Sequence, residues 1–169
     1  MSLKQRLQRC TVAVVLRVLH AAMAELPRLD SRAAREFSRM PEGLAFAVHT
    51  CVGGPSLFVQ WRGGRLLRLA KAAESANTLS IKSLPLSFRL FCGAMSVPQA
   101  YARHAFTVRG DLGEVMILAR LVDLVESYLF PRFITRRILT DVPRREVCSL
   151  RLYGRMLLGF LSFRYKKYE

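Results

Sequence analysis

Apolar residues recur at Leu3, Leu7, Cys10, Val14, Val18 and Ala21, a spacing of three to four that predicts a helix over residues 3–26 with these positions facing inward. Lys4, Arg6, Arg9 and Arg17 fall largely off that stripe, and Pro27 stops the helix. A short helix is expected over 30–39, capped by Asp30 or Ser31 and closed by Pro41. From Gly43 the period changes from about 3.6 to 2. Leu44, Phe46 and Val48 alternate with smaller residues over 43–51. After the Val52-Gly53-Gly54-Pro55 turn, Leu57, Val59 and Trp61 alternate with Phe58, Gln60 and Arg62. Gly63-Gly64 supplies the two positive φ values of a type I′ hairpin into a third strand over 65–71. That flanking alternation makes the W-R-G-G-R string a hairpin tip and not an RGG-type nucleic-acid motif. A fourth strand is expected over 77–82, then helices over 85–91 and 97–103, and a fifth strand over 104–108 closed by Arg109-Gly110-Asp111. The helix expected over 112–130 is apolar around most of its circumference, with Arg120, Asp123 and Ser127 as its polar strip, so it needs cover on several sides. Pro131 breaks it. Two basic helices complete the pattern, over 132–139 and, after an Asp141 cap and Pro143, over 144–163.

The 169 residues, 51% hydrophobic and 23% charged, suit one folded unit with a core of its own. The longest uninterrupted apolar runs, 115–119 and 156–161, fall short of the roughly 18–20 residues that cross a bilayer. The start imitates a secretory signal, but Arg17 interrupts its apolar run too soon, and it reads as a mature helix. Cys10, Cys51, Cys92 and Cys148 are widely spaced and form no C-x-x-C pair, which reads as four buried free thiols in a reducing cytosol and no metal site.

A search for catalytic chemistry finds no G-x-S-x-G elbow, P-loop, G-x-G-x-x-G turn, H-E-x-x-H helix or paired carboxylates in an apolar segment. His20, His49 and His104 are scattered over separate elements and read as packed or surface residues. Asp111 and Glu114 open a helix, where a negative charge offsets the dipole. No enzymatic activity and no cofactor is expected.

The order of elements, with the Ser56 to Trp61 strand and its Gly63-Gly64 tip, Asn77-Thr78-Leu79-Ser80-Ile81, Leu86 to Gly93, Pro98-Gln99-Ala100-Tyr101 and Phe106-Thr107-Val108-Arg109-Gly110-Asp111, resembles the sterol carrier protein 2 domain family over about 42–128. The resemblance implies an α+β fold in which a five-stranded, mostly antiparallel sheet, with helices packed on one face, encloses a hydrophobic tunnel for long apolar molecules. The organisation expected is an N-terminal helical extension over 1–41, a lipid-binding domain over 42–130 and a basic C-terminal extension over 131–169. Phe46, Phe58, Phe88, Phe91, Met95, Leu112, Met116 and Leu118 are large or flexible apolar groups that a tunnel between the sheet and the 112–130 helix would use; a solid core would use them too. Small bacterial proteins of this superfamily pair one such domain with extra helices, and some present polyprenyl quinone precursors to biosynthetic enzymes. A long-chain or polyprenyl lipid is therefore the expected ligand, with lipid-biosynthesis enzymes as possible partners.

Charge adds a second argument. The chain carries 27 Lys and Arg against 12 Asp and Glu, a net +15. The excess lies at the ends, with ten basic and three acidic residues over 130–169. There Arg132, Arg136, Arg137, Arg151, Arg155, Arg164, Lys166 and Lys167 are interleaved with aromatic residues that include Phe160 and Phe163, a composition suited to an anionic membrane surface. The reading is a non-enzymatic lipid-binding protein docked peripherally on the cytoplasmic leaflet. The alternatives are a basic nucleic-acid-binding protein, disfavoured because no helix-turn-helix, zinc spacing or aromatic platform appears, and a scaffold subunit whose terminal helices bind a partner.

Overall fold

The computed structural model describes residues 2–74, 76–139, 142–162, 164–165 and 167–168. Helix α1 (Leu3–Glu25) opens on a capping box in which Ser2 accepts from the Gln5 N–H while the Gln5 side chain accepts from the Ser2 N–H. Pro27 turns its end into a short 3₁₀ segment, Leu26–Arg28, before α2 (Ser31–Ser38), whose first N–H groups are capped by Asp30. Strands β1 (Ala45–His49), β2 (Ser56–Arg62), β3 (Arg65–Leu69) and β4 (Asn77–Ile81) follow, then α3 (Leu84–Phe91), α4 (Val97–Ala102), β5 (Phe106–Arg109), α5 (Leu112–Leu129), α6 (Arg132–Ile138), α7 (Ser149–Leu161) and β6 (Lys167–Tyr168).

The sheet has six strands and not the five expected, in the order β5-β4-β1-β2-β3-β6. Two residues beyond α7 supply the sixth, pairing parallel with β3; so short and polar a segment carries no alternation that the sequence could show. The β1–β2, β2–β3 and β4–β5 pairs are antiparallel and β1–β4 is parallel. Gly63 and Gly64 turn the β2–β3 hairpin with φ of +57° and +69°, the conformation a type I′ turn demands. Register places Phe46 opposite Val59, and Val48 opposite both Leu57 and Leu79, so these residues share one face. That face meets the helices in a common core with Leu121, Leu124, Val125 and Tyr128 of α5 and Leu152 and Met156 of α7.

Helix α1 crosses this core and touches β2, β3, α3, α5 and α7. It buries Val12, Leu16, Leu19, Ala22 and Met23, not the stripe that the spacing suggested: Leu3, Leu7, Cys10 and Val14 are exposed, Val18 is half-buried and only Ala21 is fully inside. The helix is apolar on two sides, and periodicity alone does not say which side the sheet will take. Averaged over a window, Leu3–Arg28 is also long and apolar enough to cross a membrane by length and composition, which the single interruption at Arg17 concealed; half of that window is buried inside this fold.

Two further expectations are corrected. Cys10 and Cys148 are exposed and Cys51 and Cys92 half-buried, so none of the free thiols is a core residue. The last helix begins at Ser149, five residues later than expected, because the residues before it bond to the end of α5 instead. Arg145 donates through Nε to the Ser127 carbonyl at 2.6 Å and through Nη2 to the Phe130 carbonyl at 2.8 Å, and the Glu146 N–H donates to the Tyr128 hydroxyl at 2.8 Å. The Asp141 cap lies outside the described residues.

Candidate functional site

Glu25, in the last turn of α1, is fully buried. A carboxylate there faces the negative end of the helix dipole and loses its hydration, so it persists only where cations replace water. Three guanidinium groups do so from three parts of the chain. Arg28 of the 3₁₀ segment lies at 3.2 Å through Nη1, Arg155 of α7 donates through Nε at 2.9 Å, and Arg164, just past α7, donates through Nη1 at 2.8 Å. The Tyr165 hydroxyl adds a third hydrogen bond, at 3.2 Å, beside the Arg28 ion pair. Burial alone would raise the Glu25 carboxyl, but the bonds from Arg155 and Arg164 and the charges of Arg28 and Arg155 outweigh it and hold the group below its ordinary range. The same surroundings push the Tyr165 phenol up to about 12, by burial first and then by the charge of Glu25.

This cluster forms one side of a cavity of about 740 Å³ between the end of α1, the β2–β3 hairpin and the segment after α7. Among the described residues its cations are Arg28, Arg65, Arg68, Arg155, Arg164 and Lys167, against Glu25 as the one carboxylate. Phe37, Trp61, Tyr165 and Tyr168 supply aromatic wall, with Phe37 and Trp61 packed at 4.9 Å between ring centroids. Burial and the nearby charge of Arg17 lower the Arg68 guanidinium from its ordinary value. His20, also on the wall, sets Nε2 at 3.1 Å from the Leu66 carbonyl, which only accepts, so Nε2 carries the proton. Its Nδ1 has no partner among the described residues, and burial, opposed by the Leu66 bond and reinforced by Arg68, lowers the ring to about 4. The imidazole is neutral at pH 7.

A second polar cluster ties the helices together. Buried Asp30 accepts from Arg32 Nη2 at 2.6 Å and from the Tyr128 hydroxyl at 2.8 Å. Burial opposes ionisation, but the bonds from Arg32 and Tyr128 prevail and Asp30 lies below its ordinary value. Both depressed carboxylates stabilise the fold above about pH 4.5, and that stability is lost as acid protonates them. Neutral His20 acts in the same sense, since the unfolded imidazole takes up a proton below about 6.5. Burial, then the charge of Asp123, push Glu126 up to about 8, and burial raises Asp123 as well, so these two carboxyls make stability decline as pH rises, Glu126 between about 4.5 and 8. We expect thermal denaturation to show a steep loss of stability below about pH 4.5, and Glu126→Gln to flatten the decline on the alkaline side. A midpoint unchanged between pH 7 and pH 3 contradicts this assignment.

The eight apolar residues singled out for a tunnel are not gathered in this cavity, and none of the residues lining it comes from α5. Phe46 is fully buried in the common core, against which Phe88, Phe91 and Leu118 are half-buried. Met95 packs in a separate small cluster with Ala100 and Ala105. Phe58 lies on the opposite sheet face beside His49, while Leu112 and Met116 are exposed. Of the basic residues assigned to a membrane, Arg132, Arg136, Arg137, Arg151 and Lys167 are exposed, whereas Arg155 and Arg164 reach the buried Glu25. Phe160 is exposed at the end of α7; Phe163 and Lys166 lie outside the described residues. Sequence reasoning missed Glu25, Arg28, Trp61 and Tyr165. One signal was available, since Glu25 is the sole acidic residue of α1 and sits in its last turn, where the dipole opposes it.

Among the described residues no group of three or more His, Cys, Asp or Glu gathers as a metal site. No family model matches the chain. No curated protein matches it. A solved structure described as "UbiJ-SCP2 Ubiquinone synthesis protein" is similar at 17% identity and a TM-score of 0.49, covering 69% of this chain and 96% of that one.

Proposed function

We propose that this chain is a non-enzymatic carrier that binds a long apolar lipid, a polyprenyl quinone precursor among the ligands that fit, and works from an anionic membrane surface. The observation that carries the reading is that α7 serves both a surface and a cavity. Leu150, Leu157, Leu158 and Leu161 are between 65% and 76% exposed on this helix, whose Arg155 lines the arginine-rich cavity. An exposed apolar stripe beside basic residues costs stability in water and is repaid at a lipid interface. The Leu3, Leu7 and Val14 stripe of α1, flanked by Lys4 and Arg6, offers a second such contact. Each cation brought near an anionic leaflet adds roughly 1 kcal/mol, so a few of them outweigh the cost of docking a helix. Lipid leaving the bilayer would meet a cavity whose size suits a substantial apolar group.

Native mass spectrometry of the purified protein followed by lipid extraction is expected to find a bound lipid. Liposome sedimentation is expected to show binding to anionic vesicles that falls with salt, over a Debye length of about 8 Å at physiological ionic strength, and weak binding to neutral ones. The Leu157→Glu, Leu161→Glu double variant should lose vesicle binding while its melting midpoint stays put, because both side chains are exposed. Equal binding to neutral and anionic vesicles removes the electrostatic part, and an empty protein removes the carrier reading. Phe91→Asp locates the ligand: retention of lipid places it in the arginine–aromatic cavity, and loss places it between the sheet and α5.

A further inference from the structure

The Glu25 cluster has more donors than one carboxylate can occupy. A guanidinium carries five N–H donors, and each of the three arginines on Glu25 spends one nitrogen there in the contacts above. All three side chains are between 39% and 50% exposed, so their remaining N–H groups are open to a second acceptor. Glu25 thus acts as a template that fixes three forks and neutralises one charge. Arg65, Arg68 and Lys167 complete the wall without contributing to Glu25. Among the described residues, six cations against one carboxylate leave a net five positive charges around one cavity, a crowding that repels itself until an anion enters.

The lining of the same cavity also includes an aromatic pair, Phe37 and Trp61. A ligand with a multiply charged oxyanion at one end and an apolar body at the other satisfies both, and planar guanidinium forks match the several oxygens of a phosphate better than a single point charge would. We infer that this cavity is a head-group site for a phosphate-bearing amphiphile, the phosphate seated on the Glu25-templated arginines with Arg65 and Arg68 and the apolar chain leaving along Trp61 and Phe37. This rests on the carrier reading above and names the class of lipid carried. Phosphate chemistry could also arrive as the free ion, and the probes below separate the two.

Trp61 is the only tryptophan in the chain, so its fluorescence reports on this cavity alone. Delipidated full-length protein is titrated with dodecyl phosphate below its micelle concentration, with dodecanol and with inorganic phosphate. Dodecyl phosphate is expected to give a saturable change, at least about tenfold tighter than either other probe and weaker in high salt. The Arg65→Gln, Arg68→Gln double variant spares the Glu25 contacts and is expected to weaken dodecyl phosphate at least about tenfold while leaving dodecanol unaffected. Should that variant fold poorly, the salt dependence of the unaltered protein carries the same information. Dodecanol binding as tightly as dodecyl phosphate overturns the head-group site and leaves an apolar carrier standing. Inorganic phosphate binding as tightly overturns the amphiphile assignment in favour of a free-anion site. No response to any probe, in a protein that still co-purifies with lipid, overturns this inference and spares the carrier reading; no response and no lipid sinks both.

Discussion

Glu25→Gln is expected to destabilise the protein by about 3 kcal/mol, which for a chain of this length lowers the melting midpoint by about 6–12 °C. The carboxylate is fully buried and collects hydrogen bonds or ion pairs from Arg28, Arg155, Arg164 and Tyr165. A neutral amide keeps the shape but leaves three guanidinium groups facing one another with no counter-charge. The arginines are partly solvated, which sets the figure at the low end of what breaking a buried ion pair costs. Arg28→Gln should cost far less, because Glu25 retains its two shorter contacts. Thermal denaturation of both variants at neutral pH checks the ordering; a Glu25→Gln midpoint equal to that of the unaltered protein shows that the cluster does not hold the end of α1 to α7.

A chain shortened after Phe130 is expected not to fold cooperatively. It would keep every residue over which the family resemblance runs, and its formal charge would fall from +15 to +8, since ten basic and three acidic residues are removed. Charge and resemblance alone suggest that such a chain keeps its lipid and loses only membrane affinity. The core says otherwise. Leu152, Met156 and Ile138 are buried, and burial of side chains of this size contributes roughly 2 kcal/mol each, together comparable with the whole net stability of a small domain. The cut also removes two of the cations on Glu25 and the backbone donors that reach the Tyr128 hydroxyl. Near-ultraviolet circular dichroism and dye binding distinguish the outcomes: weak tertiary signal with exposed apolar surface is expected, whereas a sharp transition with native-like spectra makes the C-terminal helices appendages.

The order of elements was legible because local rules set it. Alternation from Leu44 to Val48 and from Leu57 to Trp61, two adjacent glycines between strands, Asp30 and Asp111 at helix starts and Pro27 and Pro131 at helix ends each act over a few residues, and the structure shows every one of them. Which side of an element faces inward was legible only where one side is polar. In β2 Leu57 and Val59 alternate with Gln60 and Arg62 and are buried as expected, whereas in β1 Ala45 and Ala47 are buried on one side and Phe46 and Val48 on the other, the larger pair meeting the helices. In α1 two apolar stripes compete, and the sheet, α3, α5 and α7 take the one through Val12, Leu16 and Leu19. No local rule contains that choice, because it depends on the combined shape of elements up to about 150 residues away.

The candidate site follows the same division. The basic excess and the aromatic residues of the C-terminal region are properties of the sequence, and the expectation of an anionic, apolar partner rests on them. Where the charge goes was decided by tertiary structure. Arg155 and Arg164 read as surface cations by composition, yet a single buried carboxylate 130 and 139 residues earlier turns them onto its oxygens. Desolvation makes that contact obligatory, since Glu25 has no water left to bond. Long-range pairing of this kind has no sequence period, and it exists only once helix packing has brought the end of α1 against α7.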